Sequence, residues 1–201
     1  MKRKRQEITD RKEVDAILKR CRVGRIATNG ADGYPYITPL NYVYHDGAVY
    51  FHCSRVGEKL DNLKRDPRVC FEIDIPLAYL DLDYYGEMPE GCNVTQFYHS
   101  VIVRGKAEIV TDVDEKAAAL TALVASHKPE GRRFQKISAE TRAVGMCEVV
   151  AIRIETITGK RELAQKKSDD EKRNLSDYLK KRNLPGDVEA ADLIVGETSY
   201  T

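Results

Sequence analysis

The chain has 201 residues, 42% of them hydrophobic and 32% charged, which is enough to bury a sizeable core as one domain or as one domain with an appendage. Its 33 basic and 32 acidic side chains leave a net charge of +1, so a global attraction to nucleic acid or to an anionic membrane is excluded and any anion site has to be local. No apolar run approaches the roughly 18 residues of a membrane span, and the start Met1-Lys2-Arg3-Lys4-Arg5 lacks the apolar segment of a secretory signal, so a cytoplasmic protein is expected.

The basic residues 2–5 read as a solvated arm rather than a nucleic-acid contact. Asp10-Arg11-Lys12-Glu13 has the spacing of a capping box, and Val14, Ile17, Leu18 and Cys21 follow on one face of a short first helix. Residues 23–28 then read as a strand. Asn29-Gly30-Ala31-Asp32-Gly33 supplies a turn into a second strand over 34–44, which contains Pro35 and Pro39. Proline cannot donate to a ladder, so this strand is expected to face an edge, a bulge or a ligand. His45-Asp46-Gly47 turns into a third strand over 48–53, where Val49, Phe51 and Cys53 alternate with Tyr50 and His52.

The stretch His52-Cys53-Ser54-Arg55-Val56-Gly57-Glu58-Lys59-Leu60 closes that strand and opens a helix. With Ser54 read as its N-cap, Arg55 and Lys59 place two cations in the first turn, where unpaired N–H groups already carry partial positive charge. A phosphate would relieve this, held by the hydroxyl, the backbone N–H groups and an ammonium, with Gly57 letting backbone approach. A plainly capped helix with exposed cations is the other reading of the same residues.

Val56, Leu60 and Leu63 form a helical stripe that stops near Asp66-Pro67, and residues 69–73 resume alternation. Residues 76–96 read as a loop of about twenty residues, long enough to serve as a lid. Strands are expected over 98–103 and 107–110, around Gly105. A second long helix over 112–128 follows, with Ala117, Leu120, Leu123 and Val124 inward, and a last strand covers 149–157. From Lys160 onward charge dominates, with room for a modest helix over 171–181.

Five widely spaced cysteines without a CxxC pair argue against a disulfide framework and a structural zinc site. Cys92, Tyr98, His99 and Ser100 fall within nine residues, but a metal would need a further ligand and nothing orients the histidine for nucleophilic chemistry. Six or seven strands joined by tight turns, three interspersed helices, and no GxGxxG or GxxxxGK[ST] favour an α+β, mainly antiparallel and Greek-key-like barrel over a doubly wound sheet. The aromatic strand Tyr34-Pro35-Tyr36-Ile37-Thr38-Pro39-Leu40-Asn41-Tyr42 suits a planar heteroaromatic ligand, although a dimer interface would use a similar strand.

These residues, in this order, resemble the pyridoxamine 5′-phosphate oxidase-like split-barrel flavoproteins, and within them the nitroimidazole-resistance branch. The carriers are Gly24-Arg25-Ile26-Ala27-Thr28, the strand over 34–42, Tyr50-Phe51-His52-Cys53-Ser54 with Gly57 and Lys59, Asp66-Pro67-Arg68-Val69-Cys70-Phe71-Glu72, Tyr98 with Ser100-Val101-Ile102, Gly105-Lys106-Ala107-Glu108, and residues 152–160. The resemblance covers about 7–161. It implies a split β-barrel, taken as a domain over 1–161, beyond which the charge-dominated residues 162–201 read as an appendage, helical or partner-contacting. It further implies a homodimer with two equivalent sites at the subunit interface, and FMN as cofactor.

By the same resemblance, Pro39, Leu40 and Asn41 would line the isoalloxazine, while His52, Ser54 and Lys59, with Gly57 beside them, would face the phosphate. Tyr98, Ser100 and Val101 would approach from a neighbouring strand, that of the partner subunit. His99 stands where the branch often has arginine or glutamine, and the basic side chains of a true pyridoxamine phosphate oxidase are not recognisable toward the C-terminus. The expected function is therefore an FMN-dependent oxidoreductase acting on a small molecule, such as a nitro-aromatic electron acceptor. The alternatives are FAD as cofactor, or a non-catalytic protein that carries flavin or binds haem through His52, His99 or Cys92.

Overall fold

A computed structural model describes residues 4–88 and 90–200; Lys2 and Arg3 of the basic arm lie outside the described residues. The chain order is β1 (Glu7–Ile8), α1 (Arg11–Arg20), β2 (Val23–Asn29), β3 (Pro35–Asn41), β4 (Val43–His45), β5 (Ala48–Cys53), α2 (Glu58–Arg65), β6 (Arg68–Leu80), β7 (Thr95–Ile109), α3 (Val113–His127), α4 (Arg142–Met146), β8 (Glu148–Glu162), α5 (Asp169–Arg182) and α6 (Asp187–Val195). Seven strands follow the path β3-β2-β6-β7-β8-β5-β4, and β1 adds to β8. This is the expected α+β antiparallel split-barrel fold. Among the described residues no helix is long and apolar enough to cross a membrane.

The chain divides into two compact units: one from the described parts of Met1–Ile17, Asp74–Val101 and Thr158–Thr201, the other from Leu18–Ile73 and Ile102–Ile157. In the second unit, β2 and β3 form a hairpin in which Val23 faces Asn41 and Asn29 faces Pro35, closed by Gly30 N–H donating to Tyr34 O at 2.8 Å. β3 ends the strand path, so Pro35 and Pro39 stand where a missing donor costs least, as the prolines required. β4 and β5 turn through Asp46 and Gly47, both at positive φ, as the Asp-Gly pair predicts for a two-residue hairpin.

The core of this unit packs Val43, Ala48, Tyr50, Val149 and Ala151 of the sheet against Ala117, Leu120 and Leu123 of α3. Val124, expected inward, is 38% exposed, because 120 and 123 already define the buried stripe and 124 falls at its margin. The 34–44 segment is two strands. Tyr42 between them is buried and donates its hydroxyl to Leu18 O at 2.6 Å, so it serves the core.

Gly105 lies inside one continuous strand rather than between two. A Cβ there would sit 2.1 Å from Arg153 O, so only glycine permits this approach. Gly105→Ala should cost about 1 to 3 kcal/mol, read as a lowered urea midpoint.

In the first unit, β6 continues to Leu80 past the expected break at residue 76. Pro76 sits on its exposed side while Ile75 and Leu77 keep the buried alternation, so the connection to β7 is shorter than expected and contains two 3-10 turns, Leu82–Tyr85 and Gly91–Asn93. α5 begins with a full capping box between Ser168 and Glu171. α6, which follows it between Gly186 and Gly196, both left-handed, was not anticipated.

Candidate functional site

β5 ends at Cys53, four residues intervene, and α2 starts at Glu58 with Gly57 as its N-cap at φ 130° and ψ 160°. Ser54 is therefore not the cap. Its hydroxyl oxygen accepts only a long 3.5 Å contact from Val56 N–H, because Gly57 alone can adopt the backbone that starts the helix here. Nothing stands within 4 Å of where a Cβ on Gly57 would be, so its backbone is open to an approaching group.

The two-cation first turn also needs correcting. Arg55 precedes the helix, donates to Gly145 O and lies 3.7 Å from Glu148. Lys59 remains as the first-turn cation, beside Glu58 and Asp61. α2 is fixed in place through buried Asn62, whose amide donates to Thr28 Oγ1 on β2 at 3.1 Å and whose own oxygen accepts from Arg65 at 2.9 Å. A helix end pinned this way holds its N–H groups at a set position on the barrel.

A cleft of about 150 Å³ lies between this helix end and the sheet edge, lined by Tyr36, Thr38, Cys53, Ser54, Gly57 and Lys59 among others. At about 30 Å³ per water it holds about five waters' worth of ligand, the scale of a phosphate and its attachment rather than of a tricyclic ring. Thr38 Oγ1 is shielded from solvent and has no hydrogen-bond partner among the described residues. A buried hydroxyl left so costs about 1 to 3 kcal/mol, which a ligand acceptor would recover. Burial pushes the Cys53 thiol pKa up and the Lys59 charge pulls it back, so the ammonium field reaches the cleft wall. The same ammonium stands 5.0 Å from the centroid of the Phe51 ring.

Of the sequence-predicted residues, Ser54, Gly57 and Lys59 line this cleft. Pro39 and Asn41 on β3 are exposed and Leu40 is half-buried, and Ile37 beside them is 62% exposed. An apolar edge strand with so little cover within its own chain is the surface a flat ligand would use. His52 is exposed and faces Val149 across the β5–β8 ladder. Its expected companion Tyr50 is instead buried, donating to Glu115 Oε1 at 2.8 Å and accepting from Arg153 at 3.0 Å, so the two do not form a ligand face.

Tyr98, Ser100 and Val101 lie on β7 within the other unit. Tyr98 carries Lys160 Nζ 5.1 Å from its ring centroid. Val101 is fully buried on the side of Phe97 and His99, so its side chain cannot share the face of Tyr98 and Ser100. Thr38 was missed as a site residue. Its only sequence signal was a hydroxyl immediately before the edge proline Pro39.

Residues 10–161 match the family model described as pyridoxamine 5′-phosphate oxidase. Solved structures of similar fold include a candidate 5-nitroimidazole antibiotic resistance protein from Bacteroides thetaiotaomicron, 22% identical with a TM-score of 0.63 over 77% of this chain and 86% of that one. The FAD and haem binding protein of Mycobacterium smegmatis is 19% identical, with a TM-score of 0.65 over 78% of this chain and 73% of that one. The flavocytochrome Anf3 of Azotobacter vinelandii is 20% identical, with a TM-score of 0.63 over 78% and 69%. At these identities the likeness is one of fold. No functionally curated protein matches the sequence closely enough to count as a relative.

Proposed function

Because the chain belongs to the pyridoxamine 5′-phosphate oxidase family, we propose that it is an FMN-binding oxidoreductase of the nitroimidazole-resistance kind, which reduces a small acceptor such as a nitro-aromatic. The observation that carries this reading is the stranded hydroxyl of Thr38 in a cleft that also holds Ser54, the open backbone of Gly57 and the first-turn cation Lys59. Two hydroxyl donors, helix N–H groups and an ammonium are the donor set a phosphate monoester takes. When bound, the flavin supplies the electron transfer, and the protein's part is to hold and orient it.

In this reading Lys59 and the N-terminus of α2 offset the phosphate charge, while Ser54 and Thr38 donate to its oxygens. The exposed β3 edge over Pro39, Leu40 and Asn41 meets the flat ring, and Pro39 cannot compete for an acceptor there because it has no N–H. His52 stands near the end of β5, one residue before the cleft residue Cys53, with a donor for the ribityl or phosphate end. A homodimer with two equivalent sites, Tyr98 and Ser100 coming from the partner subunit, belongs to the same proposal. Proteins sharing the fold include an FAD and haem binding protein and a candidate nitroimidazole resistance protein, which supports a flavin as the ligand.

Thr38→Val separates the binding role from a packing role. Removing an unsatisfied buried hydroxyl at constant shape should leave the ligand-free protein as stable or about 1 kcal/mol more stable, and weaken FMN binding by about 1 kcal/mol. Urea melts with and without FMN, combined with flavin titration, check both halves. A destabilised ligand-free variant with unchanged FMN affinity would assign the hydroxyl to the fold. Steady NAD(P)H oxidation with FMN and a nitro-aromatic acceptor tests turnover, since a passive carrier of flavin or haem would show none.

A further inference from the structure

A larger cavity, about 450 Å³, lies within the unit that contains α5, α6 and the first part of β7. Its polar lining includes Arg161, Gln165, Lys172 and fully buried His99, and Leu163 and Ile194 are among its apolar walls. Phe97, His99 and Val101 are buried on one face of β7, whereas Tyr98 and Ser100 alternate onto the other. The cavity therefore opens away from the two β7 residues assigned above to the flavin.

The polar groups are held by their own contacts. Arg161 Nη1 donates to Glu13 Oε1 at 2.6 Å, using one of its five N–H donors. Gln165 accepts from Leu163 N–H and donates to Arg161 O, both at 3.0 Å, which fixes the loop between them. Lys172 Nζ stands 3.7 Å from Asp169 Oδ1, whose side chain is 84% exposed, so this pair is solvated and weak. The His99 ring meets Tyr200 edge-on at 4.9 Å. Among the charged lining groups, Arg161 and Lys172 against Glu13 leave one net positive charge above apolar walls.

We propose that this cavity binds a small organic carboxylate with an apolar body, the carboxylate held by Arg161 and Lys172 and the body set against Leu163 and Ile194 above His99. The volume admits about fifteen waters' worth of ligand and falls in the usual range of small-molecule sites, whereas one net charge selects a monoanion. This assignment does not depend on the flavin reading.

Benzoate is the probe, with benzamide as its neutral isostere, titrated into the full chain by calorimetry and by NMR of the four histidine imidazoles. Benzoate is expected to saturate, shift the His99 signals and leave those of His45 and His52 in place, with benzamide at least about tenfold weaker, equivalent to about 1.4 kcal/mol. Lys172→Gln, at a partly exposed position where folding is not at stake, should weaken benzoate by about tenfold and leave FMN affinity unchanged. No saturable heat with millimolar benzoate, shifts confined to His52, equal affinity for benzamide, or unchanged benzoate affinity in Lys172→Gln would each overturn the proposal.

Discussion

Lys59→Ala is expected to weaken FMN binding by about 1 to 3 kcal/mol, roughly 5- to 150-fold, the range of a charge-assisted hydrogen bond. Lys59 lies in the first turn of α2, lines the cleft beside Thr38 and Ser54, and acts on Cys53 through its charge. Glu58 and Asp61 in the same turn would repel a phosphate once the ammonium is gone, so the loss belongs toward the upper part of that range. The discriminating measurement is flavin titration at low and high salt. Wild-type affinity should fall with salt more steeply than that of the variant, because the screened attraction is the one removed. Equal affinities and equal salt slopes would place the phosphate elsewhere.

Arg182→Met carries the largest expected effect on stability, about 3 to 5 kcal/mol, because it strips a buried carboxylate of its partner. Arg182 donates to both oxygens of Asp187, at 2.7 and 2.9 Å, to Asp81 at 2.5 Å and to Tyr79 O at 2.9 Å, and the Asp187 side chain is 1% exposed. Burial alone would raise the Asp187 pKa, but the Arg182 hydrogen bonds, the Leu184 N–H and the guanidinium charge together hold it below the usual carboxylate value. Asp81 is lowered against its own burial by Tyr178 and Arg182.

Two depressed carboxylates stabilise the fold fully above their unfolded pKa, about 4, and that contribution disappears as pH falls through their folded values. In Arg182→Met, burial is left to raise Asp187, so the variant prefers the protonated acid. The gap between wild type and variant should therefore be widest near neutral pH and narrow toward pH 3. Urea denaturation at both pH values reads it. A gap that is small at pH 7, or that widens in acid, would contradict this account of the network.

Local signals were most legible where they coincide with turn chemistry. Asn29-Gly30 to Gly33 and Asp46-Gly47 gave two hairpins, and Pro35 with Pro39 marked the edge strand that β3 turns out to be. Buried spacing located α1 and α3. Tertiary contacts overrule such signals elsewhere. Pro76 does not end β6, because its side of the strand is exposed and Leu77 resumes the buried alternation. α6 is a short run in which Asp187, Glu189 and Asp192 interrupt the small apolar residues, and Ala190, Ala191 and Ile194 acquire their meaning from packing in the folded unit.

The same limit applies at the candidate site. Ser54, Gly57 and Lys59 were legible as an anion-seeking group, yet the order of their parts was not. The cap moved to Gly57 because a positive φ sets the start of α2, and Arg55 found Glu148 at the start of β8 and Gly145 on α4. Tyr50, which alternation placed beside His52, was drawn into a buried network with Glu115 and Arg153. Thr38 could not be recognised from the sequence, since a stranded hydroxyl is defined by surroundings that shield it in three dimensions without offering a hydrogen bond among the described residues.

The proposed function turns on a flavin phosphate in the cleft between β3, β5 and α2. It is tested most directly by the visible spectrum of the protein purified without added cofactor, followed by chromatography of what denaturation releases and by titration of the emptied protein with FMN. The expected result is a flavin spectrum, release of FMN, and rebinding that is weakened by Lys59→Ala and by Thr38→Val. A colourless protein whose addition leaves the spectrum and fluorescence of FMN unchanged would contradict it.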